Sequence, residues 1–334
     1  MTTAVQAGRY TATAAVRDLV GRLGFAPPPE ALPGADLVAA AQLGLEPPVP
    51  GRLLRAADGW FHPGPPTAWA EFTAMALSLG ALCGSASDGP ADGPADGRPD
   101  GLPDGLPDVS MLTVDALDAE AAAWFLPATA VRTARAAAPA VPEIGDVSVV
   151  RGARVALLGT AWAAPLVGLL LVRLGADVVR VDDPRRDDPF PLAARLAANQ
   201  ERIRPDLTTP TGRDELLTRL GHVDLLVDGF TPRVLANAGL GDDVLAAELP
   251  QLARLRIAAF ADTDRPGYGL AAECRGGWAA RTDPPQLGRS SVADPVAGCL
   301  GALHAVALLG ARSGAARVSL EGAVGHLLAT EAAR

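Results

Sequence analysis

Residues 154 to 182, RVALLGTAWAAPLVGLLLVRLGADVVRVD, constrain the chain more than any other stretch. Two apolar runs, RVALLG and ADVVRVD, flank a Leu-rich segment with Pro165 near its start. A helix accepts proline in its first turn, where the missing N–H has no partner to lose. Buried parallel strands read as near-continuous apolar runs rather than as alternation. The stretch is therefore a βαβ unit, and the pattern continues after Val149. Strands are predicted at 154–158, 177–182, 224–228, 255–260 and 316–320, and helices at 165–174, 211–220, 233–238 and 297–309. Strand and helix in alternation predict an α/β fold: a Rossmann-like doubly wound parallel sheet covered on both faces. A sheet of this kind binds its ligand beyond the carboxyl ends of its strands.

The rest of the chain divides around one segment. Residues 88–108, DGPADGPADGRPDGLPDGLPD, have almost nothing apolar to bury and cannot repay their ordering entropy, which predicts a disordered Gly/Pro/Asp linker. Residues 1–87 carry helical stretches at 11–23 and 68–82 and read as a small α+β portion placed N-terminally. Residues 109–148 read as its helical remainder, two short helices broken at Pro127, the second being TAVRTARAAA. Residues 149–334 form the Rossmann-like domain.

Composition limits the ligand. The formal net charge is −9 and all 29 basic residues are arginine. Nucleic-acid affinity needs clustered positive charge, so no nucleic-acid partner is expected. Three cysteines, Cys83, Cys274 and Cys299, suggest neither a disulfide framework nor a zinc site, and no metal is expected. With neither a signal-peptide core at the N-terminus nor a continuous membrane-length apolar run, a cytoplasmic protein without membrane contact is expected. The turn at 159–164 lacks the Gly spacing of dinucleotide sites and the Lys of a P-loop, and no G-x-S-x-G phrase supports a serine hydrolase.

Several phrases, in order, resemble the family III CoA-transferases, also called the CaiB/BaiF family. LLGTAWAAPLVGLLLVRLGADVVRVD resembles the family's opening strand, turn and helix; PDLTTPTGR, from Pro205 to Arg213, and VDLLVDGFTPRVLANAGLG, from Val223 to Gly241, resemble its next two phrases. SVADPVAGCLGALHAV resembles the phrase that carries its nucleophilic aspartate, here Asp294. GRLLRAADGWF and WFLPATAVRTARAAAPAVP resemble the small-domain portion of actinobacterial members. The resemblance implies coenzyme A or acyl-CoA as substrate, a carboxylic acid as acceptor, and an acyl or CoA group carried through a covalent aspartyl intermediate. It also implies a homodimer or pairing with a homologue.

Residue by residue, the implications are mixed. Asp294 matches the nucleophile, and a carboxylate nucleophile splits one hard acyl transfer into easier exchanges. By position alone, Asp-Pro ahead of an apolar run also reads as a helix N-cap. Trp162, Ala163 and Ala164 would line the pantetheine path through N–H groups at the helix start, although Trp162 equally reads as core. Arg180, Arg185 and Arg186 offer guanidinium groups to the nucleotide 3′-phosphate, although DDPRRDD also reads as a self-neutralising cluster. Gly229 and Glu201 stand where the family carries Asn and Lys near the nucleotide. Gly269 stands where racemase members place an acid, and glycine cannot be a general base. Glu273 is expected to be solvated, its alternative role being to replace that acid. Three readings follow: a CoA-transferase, a degenerate member acting as a binding or assembly subunit, and an acyl-CoA racemase or isomerase.

Overall fold

The computed structural model describes residues 3–25, 52–81, 106–185, 193–288 and 291–333, without the side chains of 3–10 and 232. Cys83, Arg186 and residues 88–105 of the expected linker lie outside the described residues.

Helix α1 (Thr3–Arg22) comes first. A small antiparallel sheet follows, β1 (Leu54–Arg55), β2 (Trp60–His62) and β3 (Thr129–Ala130), in that spatial order. It packs with α2 (Trp69–Ser78) and α3 (Val114–Ala123) around a core of Leu54, Phe61, Phe72, Met75, Leu117 and Leu126. Phe61 and Phe72 stack with ring centroids 5.8 Å apart. Leu106, inside the expected 88–108 linker, is instead buried in the same core. The segment expected as a second helix, TAVRTARAAA, is not helical. Thr129 and Ala130 pair with His62 and Phe61, and the N–H groups of Arg132 and Ala136 bond to the carbonyls of Cys274 and Gly276. These partners in a distant part of the chain override a good local helix propensity.

The larger unit is a six-stranded parallel sheet: β4 (Arg154–Leu158), β5 (Asp177–Val181), β6 (Glu201–Ile203), β7 (Leu225–Asp228), β8 (Ala253–Ala258) and β9 (Ala315–Ser319). Its spatial order is β6-β5-β4-β7-β8-β9, so the chain winds outward from β4 one way, then returns to β7 and winds outward the other way. The reversal falls between β4 and β7, where a crevice opens at the strand ends. The expected α/β doubly wound fold is present, with a small sheet N-terminal to it. Its expected strands fall within two residues of those observed; β6 was not anticipated.

Helices cover both faces. On one lie α4 (Ala163–Arg173), α10 (Ala293–Ala311), α11 (Leu320–Ala332) and also α1, burying Val155, Leu157, Val227, Leu255 and Ile257. Helix α1, grouped by sequence with the small portion, thus packs in the large core. The other face is closed by α6 (Pro210–Leu220), α7 (Pro232–Asn237) and α8 (Asp242–Glu248) over Ala156, Leu158 and Leu226. Two short helices, α5 (Ala193–Leu196) and α9 (Gly269–Arg275), complete the set. Helix α4 is apolar nearly all round because α10 covers its outer side. Helix α10 is long and apolar enough to cross a membrane, with mean hydropathy 1.4, yet 78% of that stretch is buried inside the protein. A core helix meets the same description.

Candidate functional site

The crevice between β4 and β7 opens into a cleft of about 280 Å³ at the carboxyl ends of β4, β5, β7 and β8. Its walls include the turn Thr160–Ala161, the start of α4 at Ala163 and Ala164, Gly229 and Phe230 after β7, Arg256, Tyr268 and Asp294. One close approach shapes its floor. A Cβ on Gly159 would lie 2.9 Å from the Ala164 methyl, and one on Gly229 would lie 2.6 Å from it. The methyl is wedged between the two strand ends, and the bare α-carbons let α4 start directly above them. Ala161, with φ at 65°, turns the chain from strand into helix. A side chain at Gly229 would therefore displace α4.

Asp294 lies within the first turn of α10 and faces this cleft. Helix capping falls to other residues. The Ser291 hydroxyl oxygen accepts from the N–H groups of Ala293, at 3.1 Å, and Asp294, at 3.4 Å. Glu273 of α9 accepts from Val292 N–H at 2.7 Å and from Ala293 N–H at 3.4 Å. The Asp294 carboxyl is left for the cleft, where burial pushes it up to about 6 against the pull of a hydrogen bond from Ser291. Sequence reasoning gave the cap to Asp294 and missed Ser291, although Ser291-Val-Ala-Asp294 ahead of an apolar run has the S-x-x-[DE] capping spacing.

Glu273 is not solvated, contrary to expectation; it is 1% exposed. Burial pushes it up to about 7, opposed by its backbone and Ser291 hydrogen bonds. Gly269 explains how the cluster fits together. A Cβ there would fall 1.9 Å from both Asp294 Oδ2 and Ser291 Oγ, so the position that lacks the racemase acid is the one that admits the Asp294 carboxyl.

The expected nucleotide contacts fare unevenly. Ala163 and Ala164 line the cleft, whereas Trp162 is 4% exposed and belongs to the large core. Arg180 does not offer its charge to the cleft: it is buried, with Nε 2.7 Å from Asp182, which also binds Arg202. Arg185 stands at the rim and holds Asp183 through two contacts of 2.9 Å, the self-neutralising arrangement. Arg186 is outside the described residues. Sequence reasoning missed Arg256, which faces Asp228 across β7 and β8 and pairs with it through Nη1. Burial raises Asp228 to about 6 even so. No spacing motif marks such a pair, since its members come from different strands.

Comparison with known proteins places these features. Residues 150–319 match CoA-transferase family III. The succinyl-CoA–D-citramalate CoA-transferase of Chloroflexus aurantiacus is 34% identical over 176 residues, 47% of this chain and 44% of that protein. A probable fatty acyl-CoA transferase of Mycobacterium tuberculosis, Rv3272, is 28% identical over 141 residues, 37% of this chain and 36% of its own. A crystal structure of Rv3272 superposes with a TM-score of 0.48 at 26% identity, covering 55% of this chain and 56% of that one. The chain thus spans less than half the length of these two curated relatives. The match extends from the strand before the 159–164 turn through Asp294 to the end of β9, and on it the chain belongs to CoA-transferase family III.

Proposed function

We propose that the protein moves CoA between an acyl-CoA thioester and a carboxylic acid, with Asp294 as covalent nucleophile. The observation that carries this reading is the Asp294 carboxyl itself: it faces the cleft at the sheet's switch point, relieved of capping by Ser291 and Glu273. The ionised carboxylate attacks the thioester carbonyl, and CoA thiolate leaves as a mixed anhydride forms. The thiolate returns to the aspartyl carbonyl and releases the first acid, giving an aspartyl-CoA thioester. The acceptor carboxylate attacks that thioester, displaces CoA thiolate and forms a second anhydride. The thiolate then takes the new acyl group and regenerates Asp294. Each step exchanges one activated carbonyl for another. The backbone N–H groups at the start of α4, at Ala163 and Ala164, are the donors proposed for the pantetheine arm and the developing oxyanion.

The relatives act on succinyl-CoA with citramalate and, by its printed name, on fatty acyl-CoA, so short dicarboxylic and long-chain acids are both fair test substrates. Proton abstraction beside the thioester, the racemase chemistry, lacks support because Gly269 leaves no acid there. The binding-subunit reading is favoured by one observation, the internal pairing of Arg180 and Arg185, which leaves little free charge for a nucleotide phosphate. One experiment separates the readings. Labelled free acid is incubated with its own acyl-CoA, and exchange of label into the thioester is followed in the wild type and in Asp294→Ala. Exchange in the wild type alone supports transfer; CoA binding by calorimetry without exchange supports the binding subunit. Assembly as a homodimer, or with a homologue, is proposed with it and is read by sedimentation.

A further inference from the structure

Behind Asp294 stands a second buried carboxyl group that the proposed chemistry does not use. Glu273 reaches from α9 to the start of α10, and the Ser291 hydroxyl lies within reach of both the Glu273 and the Asp294 carboxyl. Ser291 Oγ and Asp294 Oδ2 press on the same bare α-carbon, that of Gly269, which fixes both. A serine hydroxyl has one proton to give and two lone pairs to accept with. It accepts from the N–H groups of Ala293 and Asp294, which fills both, so it has only its one proton left to give to one carboxylate. If Glu273 is protonated, it carries no charge to draw that proton, which is directed to the Asp294 carboxylate. If Glu273 is ionised, it competes for the serine proton, and Asp294 loses its donor.

We propose that Glu273 is a positioning residue that acts through Ser291 and the start of α10 to fix the Asp294 carboxylate for attack. Its effect on catalysis rests on the reading of Asp294 as nucleophile. The surroundings support a neutral Glu273. Glu273 is itself buried, and Asp294 raises its proton affinity further. Arg281, in the turn after α9, is engaged by Glu331 of α11 at 3.4 Å. Titration splits the roles: as pH falls, Glu273 takes a proton near 7 while Asp294 stays ionised to near 6. The two groups form a coupled pair, so the values belong to the pair.

Glutamine at 273 is a permanent imitation of the protonated acid. Its amide oxygen still accepts from Val292 N–H, and, being uncharged, it leaves the serine proton to Asp294. Two experiments test the proposal. Carboxyl titration by infrared difference spectroscopy needs no turnover. The wild type is expected to show two steps between pH 5 and 8, and Glu273→Gln only the lower. A single unchanged step in both proteins would overturn the proposal whatever the enzyme does. In the exchange assay, the wild-type kcat should fall as pH rises through about 7, Glu273→Gln should keep its kcat without that fall, and Ser291→Ala should lose kcat about tenfold or more with little change in KM. Identical pH profiles for the wild type and Glu273→Gln would leave Glu273 only a structural cap and refute its positioning role. If no exchange occurs in any protein, the transferase reading fails while the two-step titration still stands or falls by itself.

Discussion

At residue 269 the absence of one carbon decides what the site holds. Because a methyl there would overlap Asp294 Oδ2 and Ser291 Oγ, Gly269→Ala is expected to push the carboxyl out of place. A displacement of about 1 Å costs transfer on the order of a hundredfold in kcat/KM, measured by exchange, and the overpacking costs about 1–3 kcal/mol of stability. Near-normal turnover in a well-folded Gly269→Ala would contradict this packing. Asp294 itself carries a linkage signature. Its folded value, about 6, lies above the ordinary 3.8, so the folded state holds the proton more tightly than the unfolded one. The associated stability is full below 3.8 and lost as pH rises through 6. Asp294→Asn should therefore be more stable than the wild type by about 3 kcal/mol at pH 8, with the gap closing between pH 6 and 4 in urea titrations. A gap that does not change with pH would contradict the burial assigned to this carboxyl. Asp294 was legible because it belongs to a phrase with spacing; Ser291 was missed, although it stands three residues before that acid. Glu273 was named but expected to be solvated, since GLAAEC contains one acid among small residues and says nothing of the helix start that the acid reaches.

Among the elements, α4 and α10 set the distance between the 159–164 turn and Asp294. A Cβ on Gly298 would fall 2.8 Å from Leu166, and one on Gly301 2.8 Å from Val167, so the two helices touch almost backbone to side chain. Gly298→Val should force them apart, costing about 1–3 kcal/mol and lowering exchange more than the loss of folded protein explains. Loss of stability with unchanged kcat in the folded fraction would show that the spacing does not matter to the site. Helix α6 offers a contrast far from the chemistry. Thr209 accepts from Gly212 N–H at 3.1 Å, and Thr209→Ala should cost about 1 kcal/mol with no change in exchange. Five of the six strands of the large sheet were readable as apolar runs bounded by turn residues; β6, three residues none of which is buried, was not. The small sheet was not, since strands of two or three residues show no alternation, and the 129–138 segment has its partners some 70 to 140 residues away.

For the whole molecule, the small unit is tied to the cleft loops by charge. Arg265, which lines the cleft, donates to the Asp118 carboxylate at 2.9 Å and to the Ala128 carbonyl at 3.0 Å. Asp118→Ala leaves this buried guanidinium without its counter-charge and should cost about 3 kcal/mol, read by thermal unfolding. An unchanged melting temperature would mean that the tie carries no weight. The fold class followed from one βαβ stretch, and family membership from phrases spread across the large sheet. The packing of α1 on that sheet rather than in the small unit needed the structure. The central claim is that Asp294 becomes acylated. The protein is incubated with acyl-CoA, trapped with hydroxylamine or borohydride, digested, and its peptides are weighed. A mass change confined to Asp294, absent in Asp294→Asn, is the predicted result; an unmodified Asp294 peptide from protein that exchanges label between acid and thioester would contradict it.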